Sequence, residues 1–184
     1  SLGEIFMAES RYPEAIDTYL RLQPFYPEKL ESNLNLAEAY WQLKNFIAAR
    51  DVYEKILLFN DENYNVMLRL GEIYNALGNY PKAEAIYNEV VNCTIPTMEV
   101  YYKLALTFGK TGKYMSAVLA LHEALKLAPN DFEIKYQLGV GYKEMGIYEK
   151  AAQYFEEYIF QDSKDAIAFF LLGTCYLEIN DYLA

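Results

Sequence analysis

The chain alternates short apolar runs with brief polar breaks, and its apolar residues recur at helical spacing. Ile73 and Tyr74 lie three and four residues after Leu70, so the three residues share one face of a predicted helix. Gly78 and Asn79 then interrupt the pattern, and this pair of residues is typical of a turn. The pattern therefore predicts a helix that ends just before Gly78.

A second helix is predicted directly after this break. Pro81 has a fixed φ that suits the first turn of a helix, and Ala83, Tyr87 and Val90 follow on one face. Two antiparallel helices joined by a tight turn form a hairpin that cannot bury its apolar face alone. Stacked hairpins bury this face, and we expect small residues such as Gly71 to let paired helices approach while large aromatic residues fill the space between units.

The same pattern recurs with a fixed period along the whole chain. A first-helix leucine stands every 34 residues, at Leu2, Leu36, Leu70, Leu104, Leu138 and Leu172. An aromatic residue at the start of the second helix keeps the same register, at Tyr12, Phe46, Tyr80, Tyr114, Tyr148 and Tyr182. Six copies in one register are a strong indication of a repeat architecture.

At these positions the chain resembles the tetratricopeptide repeat family, whose pattern runs Leu-Gly, then Tyr, Gly, Tyr, Ala, an aromatic residue and Pro. The resemblance covers the whole chain and implies an all-α, right-handed α-solenoid of antiparallel helix hairpins in a single domain, residues 1–184. The implied units are 1–29 (partial), 30–63, 64–97, 98–131, 132–165 and 166–184 (partial). Lys44 replaces a turn glycine, Ser163 replaces a terminal proline, and Pro24 predicts an early end to one second helix.

Composition narrows the possible partners. The chain has 16 Lys and Arg against 26 Asp and Glu, a net charge of −10, whereas a nucleic-acid binder needs a basic surface. We therefore expect no nucleic-acid partner. No apolar stretch approaches the roughly 18–20 residues that cross a membrane, so direct membrane insertion is not expected either. The negative charge favours attraction to basic partners.

No group of residues in the sequence is arranged for catalysis or metal binding. His122 is the single histidine, and Cys93 and Cys175 lack the spacing of metal ligands. We expect no enzymatic activity, no cofactor and no metal. Gly109 and Gly141 lie on predicted first helices although the repeat does not demand glycine there, and each costs about 1 kcal/mol relative to Ala. Loose packing is the simpler explanation, and close approach of a ligand is the alternative.

The family resemblance also implies a recognition surface, because the first helix of each tetratricopeptide unit lines the concave side of the array. The candidate groove residues implied in this way are Glu38, Trp41, Arg69, Glu72, Asn75, Tyr102, Lys103, Leu106, Tyr136, Val140 and Phe170. Charged and amide side chains dominate the N-terminal members, and aromatic and aliphatic side chains dominate the C-terminal ones. We predict a groove that binds a peptide or helical segment of a protein partner, with basic residues at one part of that segment and apolar anchors at another.

The predicted function is thus that of a protein–protein interaction scaffold. The alternative is self-association, with the terminal repeats acting as an assembly element of a larger complex. A predicted last helix, roughly 166–179, carries apolar residues on several faces, including Phe169, Phe170 and Leu172, and homo-oligomers are a possible outcome. The chain opens in mid-helix without an initiator Met, so we expect a segment of a longer array. The sequence does not specify partner, pathway or compartment, and a cytoplasmic location is our expectation.

Overall fold

A computed structural model describes residues 1–93, 95–161 and 164–181, and these residues form eleven α-helices and no strand. The helices are α1 Leu2–Ala8, α2 Tyr12–Leu22, α3 Leu30–Gln42, α4 Phe46–Phe59, α5 Tyr64–Ala76, α6 Tyr80–Cys93, α7 Met98–Lys110, α8 Tyr114–Leu127, α9 Phe132–Glu144, α10 Tyr148–Gln161 and α11 Ala166–Asp181. The chain divides into two compact units, one from Ser1 to Val90 and the other from Val91 onward. The repeat positions Ser163 and Tyr182 lie outside the described residues, and the predicted unit boundaries stay predictions.

Local sequence explains where the helices begin. Asn45, Asn63 and Asp131 each accept a hydrogen bond from the backbone N–H three residues later, at 3.3, 3.2 and 3.0 Å, so they cap α4, α5 and α9. The effect of Pro24 is confirmed, because α2 has 11 residues whereas α4 has 14. A proline lacks the N–H that another helical turn would use.

The turn inside each hairpin uses a residue in the left-handed region. Gly78 has φ +73°, and its N–H donates to the carbonyl oxygen of Asn75 at 3.0 Å. Lys44 occupies the equivalent turn between α3 and α4 with φ +57°. A side chain in this conformation costs roughly 1–2 kcal/mol, so the departure from the family pattern at Lys44 strains this turn without breaking it.

Glycine and aromatic residues pair within each hairpin. A Cβ atom added at Gly71 would lie 2.6 Å from the ring of Tyr87, and one at Gly139 would lie 2.8 Å from the ring of Phe155. Each ring therefore occupies the space that the glycine of its own hairpin leaves open. The prediction that small residues such as Gly71 let the paired helices of a hairpin approach closely is therefore confirmed.

The core of the second unit packs helices α8, α9 and α10 together. Val118, Leu138 and Phe155 are buried in it, and Cys175 of α11 joins the same cluster. A Cβ atom added at Gly141 would lie 2.7 Å from Cγ2 of Val118, so this glycine permits close packing of α9 on α8. Loose packing was therefore the wrong explanation for Gly141.

Candidate functional site

We call the first set of candidate residues the α3–α5 surface, defined by Glu38, Trp41, Arg69, Glu72 and Asn75. The guanidinium Nη1 of Arg69 lies 3.0 Å from Oε2 of Glu72. The carboxylate of Glu38 accepts a hydrogen bond from Gln42 at 2.8 Å, four residues later on α3. Both carboxylates therefore have partners within the chain, but only that of Glu72 is paired with a positive charge.

A tyrosine of α4 joins the two helices of this surface. Tyr53 is 3% exposed, and its hydroxyl donates to Oε2 of Glu38 at 3.5 Å. Burial raises the pKa of Tyr53 above its ordinary value, and Glu38 raises it further, whereas the positive charge of Arg69 opposes both effects. The charged groups of α3 and α5 thus both act on the pKa of one buried hydroxyl.

The other two members of the α3–α5 surface also support the scaffold. The Trp41 ring is half-buried, with its centroid 5.1 Å from that of Phe46 across the hairpin turn. Asn75 is half-buried near the end of α5, where its carbonyl accepts the turn hydrogen bond from Gly78. Trp41 therefore stabilises the start of α4, and part of its ring stays exposed to solvent.

We call the second set the α7–α9 surface, defined by Tyr102, Lys103, Leu106, Tyr136 and Val140. The hydroxyl of Tyr102 donates to Oε1 of Glu133 at 3.2 Å, which connects the two helices. Burial and the Glu133 carboxylate raise the pKa of Tyr102. Nζ of Lys103 lies 3.2 Å from Oε1 of Glu99, one turn earlier on α7. One end of this surface is therefore held by polar contacts.

An open cleft of about 450 Å³ lies beside these contacts, and we call it the Gly109 cleft. Its walls and floor come from three helices, α7, α8 and α9. The lining residues are Ala105, Leu106, Gly109, Lys110, Tyr114, Ala117, Leu121, Gln137, Val140, Gly141 and Glu144. A Cβ atom added at Gly109 would meet no atom within 4 Å, so the missing side chain leaves the cleft open.

Tyr136 and Phe170 differ in how far their rings are exposed to solvent. The Tyr136 ring packs with its centroid 5.0 Å from that of Tyr158 and 5.8 Å from that of Phe155, so it belongs partly to the core. Phe170 on α11 is 69% exposed. The structure therefore brings Leu106 and Val140 into one cleft, whereas Phe170 stands on a separate helix.

The start of α11 is tied to this aromatic cluster. Oδ1 of Asp165 accepts hydrogen bonds from the N–H groups of Ile167 and Ala168 at 2.8 and 3.1 Å. Its other carboxylate oxygen accepts a hydrogen bond from the hydroxyl of Tyr158 at 3.0 Å. These hydrogen bonds lower the pKa of Asp165.

Sequence reasoning missed some of these relations. The Arg69–Glu72 and Glu99–Lys103 pairs have spacings of three and four, which indicate contact on a helix surface. The role of Tyr53 carried no such signal, because its repeat position is explained by the core alone. Among residues 1–93, 95–161 and 164–181, no group of three His, Cys, Asp or Glu side chains is arranged to hold a metal ion. No helix within these ranges is long and apolar enough to cross a membrane.

Family models match this architecture over most of the chain. The model described as the tetratricopeptide repeat protein 21 C-terminal ARM domain matches residues 18–141, and a tetratricopeptide repeat model matches residues 136–184. The chain belongs to the tetratricopeptide repeat family. Members of this family are protein-interaction scaffolds. The chain is therefore a protein-interaction scaffold.

Solved structures confirm the all-α solenoid fold class. MamA is similar over 90% of this chain and 97% of its own, with 19% identity and a TM-score of 0.83. The C-terminal part of a tetratricopeptide protein from Cytophaga hutchinsonii is similar over 98% and 71%, with 16% identity and a TM-score of 0.83. YrrB, described as a tetratricopeptide protein with an unusual peptide-binding site, is similar over 88% and 84%, with 20% identity and a TM-score of 0.77. No curated protein matches the chain.

Proposed function

We propose that the chain binds a peptide or helical segment of a partner protein on helices α7 and α9 of the second unit, with the Gly109 cleft as the anchor site. One observation carries the proposal. Glycine inside a helix is destabilising by roughly 0.5–1 kcal/mol relative to Ala, and no neighbouring atom requires it at Gly109. The missing side chain is instead explained by an opening between the apolar walls of Leu106 and Val140.

The description of YrrB supports this proposal, because that protein combines the same fold with a peptide-binding site. Clefts with apolar walls and a few polar groups at the edge are the usual form of binding sites. We propose that the bound segment supplies an apolar anchor to the Gly109 cleft. A basic residue of a partner would suit the carboxylates of Glu38 and Glu72, in competition with Arg69.

A random peptide library displayed on phage, selected against the purified chain, tests the proposal. The selected peptides should shift the backbone amide signals of Leu106, Gly109 and Val140 in ¹⁵N-resolved NMR spectra. Gly109→Leu adds a side chain whose Cβ atom meets no atom within 4 Å, so we expect the cleft to be filled and the affinity to fall about tenfold or more. Peptides that bind Gly109→Leu as well as the unchanged protein would contradict the proposal.

Substitution of the tyrosines gives a second test of the same surface. Tyr102→Ala removes an aromatic contact area and should weaken binding by more than about 1 kcal/mol. Tyr136→Ala also removes ring contacts with Phe155 and Tyr158, so its thermal unfolding must be measured beside its affinity. Tyr102→Phe keeps the ring and is the matched control. Equal binding by the Ala and Phe variants would exclude an aromatic contact at this position.

Self-association through α11 is a second candidate. Ile167, Phe170 and Leu177 are 65%, 69% and 69% exposed, and their spacing places them on one helix face. Light scattering after size-exclusion chromatography should then show a mass that rises with protein concentration. Phe170→Glu should restore the monomer mass. A monomer at every concentration of the unchanged protein would exclude this candidate.

A further inference from the structure

The charged side chains around the Gly109 cleft are not all paired. Lys143 pairs with Glu144 on α9, with Nζ and Oε1 3.5 Å apart, and Lys103 pairs with Glu99 on α7. Lys110 lines the cleft but forms no ion pair or hydrogen bond within the described part of the chain. The edge of the cleft therefore carries one uncompensated positive charge in a protein whose net charge is −10.

Lys110 lies at the end of a helix and next to the glycine that opens the cleft. It is the last residue of α7, where the helix dipole favours a positive charge, and it directly follows Gly109. No side chain at residue 109 stands between the stem of Lys110 and the cleft. A lysine stem can cover apolar surface while its ammonium group stays in water, so Lys110 is suited to close over an apolar guest.

We infer that the Gly109 cleft binds a partner segment in which an apolar residue is followed by Asp or Glu, with the added carboxylate paired to Lys110. Gly109 and Lys110 are then specificity-determining residues: the first makes room for the apolar side chain, and the second selects the neighbouring charge. This inference rests on the proposed function. It adds an acidic neighbour to the apolar anchor that the sequence predicted for this part of the groove.

Four short peptides serve as probes: acetyl-Gly-Leu-Glu-Gly-amide, its Gln and Lys counterparts in place of Glu, and acetyl-Gly-Leu with a free C-terminal carboxylate. Each is titrated into ¹⁵N-labelled protein at low ionic strength. The Glu peptide should bind about two- to fivefold more tightly than the Gln peptide, which is the range for an exposed ion pair, and the Lys peptide should bind most weakly. Salt should reduce these differences.

Two variants locate the effect. Lys110→Met keeps the length of the stem and should give the Glu and Gln peptides equal affinity, while the Gln peptide still binds. Lys126→Met removes the same charge from an exposed lysine that pairs with Glu123, and it should leave the preference unchanged. Gly109→Leu should abolish binding of all four probes.

Each outcome separates the inference from the function on which it rests. Equal affinity for the Glu and Gln peptides, or a preference that survives Lys110→Met, overturns the inference and leaves peptide binding in the cleft intact. Tighter binding of the peptide with the free C-terminal carboxylate than of the Glu peptide also overturns it, because the site would then select a chain end. Failure of all four probes to shift the signals of Gly109 and Val140 overturns both proposals.

Discussion

The α3–α5 and α7–α9 surfaces are built on helices of equal length, 13 residues each, yet they present different chemistry. Glu38 and Glu72 occupy the repeat position that Leu106 and Val140 occupy in the second unit. In the first unit, partners within the chain satisfy the carboxylates. In the second, apolar walls leave a cleft open. The comparison teaches that the repeat specifies the hairpin, whereas the residues between repeat positions specify the chemistry that each surface presents.

The largest expected change in stability tests whether the glycine–aromatic pairs of the two units pack in the same way. Gly71→Ala and Gly139→Ala each force a methyl group into an aromatic ring, so each should lower the free energy of unfolding by about 1–3 kcal/mol in urea denaturation. Gly173→Ala is the matched control, because no atom lies within 4 Å of its Cβ position. We expect Gly173→Ala to be neutral or slightly stabilising. A large loss at Gly71 but not at Gly139 would show that the units pack differently.

The next effect concerns the hairpin turn. Lys44→Gly relieves a side chain at φ +57° and should raise the free energy of unfolding by about 1 kcal/mol, whereas Gly112→Lys should lower it by a similar amount. Lys55→Gly, on an exposed position inside α4, controls for glycine itself and should be destabilising by roughly 0.5–1 kcal/mol. If Lys44→Gly and Lys55→Gly changed stability in the same direction, backbone strain at Lys44 would be excluded.

The smallest effect is the pH response of His122, the single histidine of the chain, which lies in the second unit. Nε2 of His122 lies 2.8 Å from the hydroxyl of Tyr142, and burial lowers the pKa of this histidine, with Lys150 adding to the effect. The folded pKa is therefore below the unfolded value of about 6.5, so the unfolded state binds the proton first as pH falls. Stability from His122 is complete above the unfolded pKa and is lost as pH falls through the folded pKa.

Urea denaturation of the unchanged protein and of His122→Gln, followed from neutral pH to pH 5, checks this response. The free energy of unfolding should fall more steeply with pH in the unchanged protein. Amide exchange should place the difference in α8, α9 and α10 rather than in α3–α5. An identical pH dependence in the two proteins would show that His122 contributes none of it.

The sequence predicted the scaffold well because its determinants are local. Hydrophobic spacing placed the end of one helix before Gly78 and the start of the next near Pro81, and the structure has α5 ending at Ala76 and α6 beginning at Tyr80. Proline and glycine act on the backbone within a residue or two. Their effects can therefore be predicted without knowledge of tertiary contacts.

The candidate site was less predictable because its determinants are distant in sequence. The repeat pattern requires glycine at neither Gly109 nor Gly141. Only the structure shows that Gly141 packs against Val118 whereas Gly109 faces open space. Tyr102 and Glu133 meet across 31 residues, and no periodicity indicates that pair. The sequence thus predicted helices for a candidate surface but not the opening beside Gly109.

The cap at Asp165 links the folding of α11 to the aromatic cluster on α9. Its carboxylate holds the first turn of α11 and accepts a hydrogen bond from Tyr158, whose ring packs on Tyr136. Local opening of α11 therefore removes the hydrogen bond from Tyr158 to Asp165, which helps to hold the ring that packs on Tyr136. By thermodynamic reciprocity, a ligand that requires the packed ring would slow hydrogen exchange in the first turn of α11, although it touches neither Asp165 nor that helix.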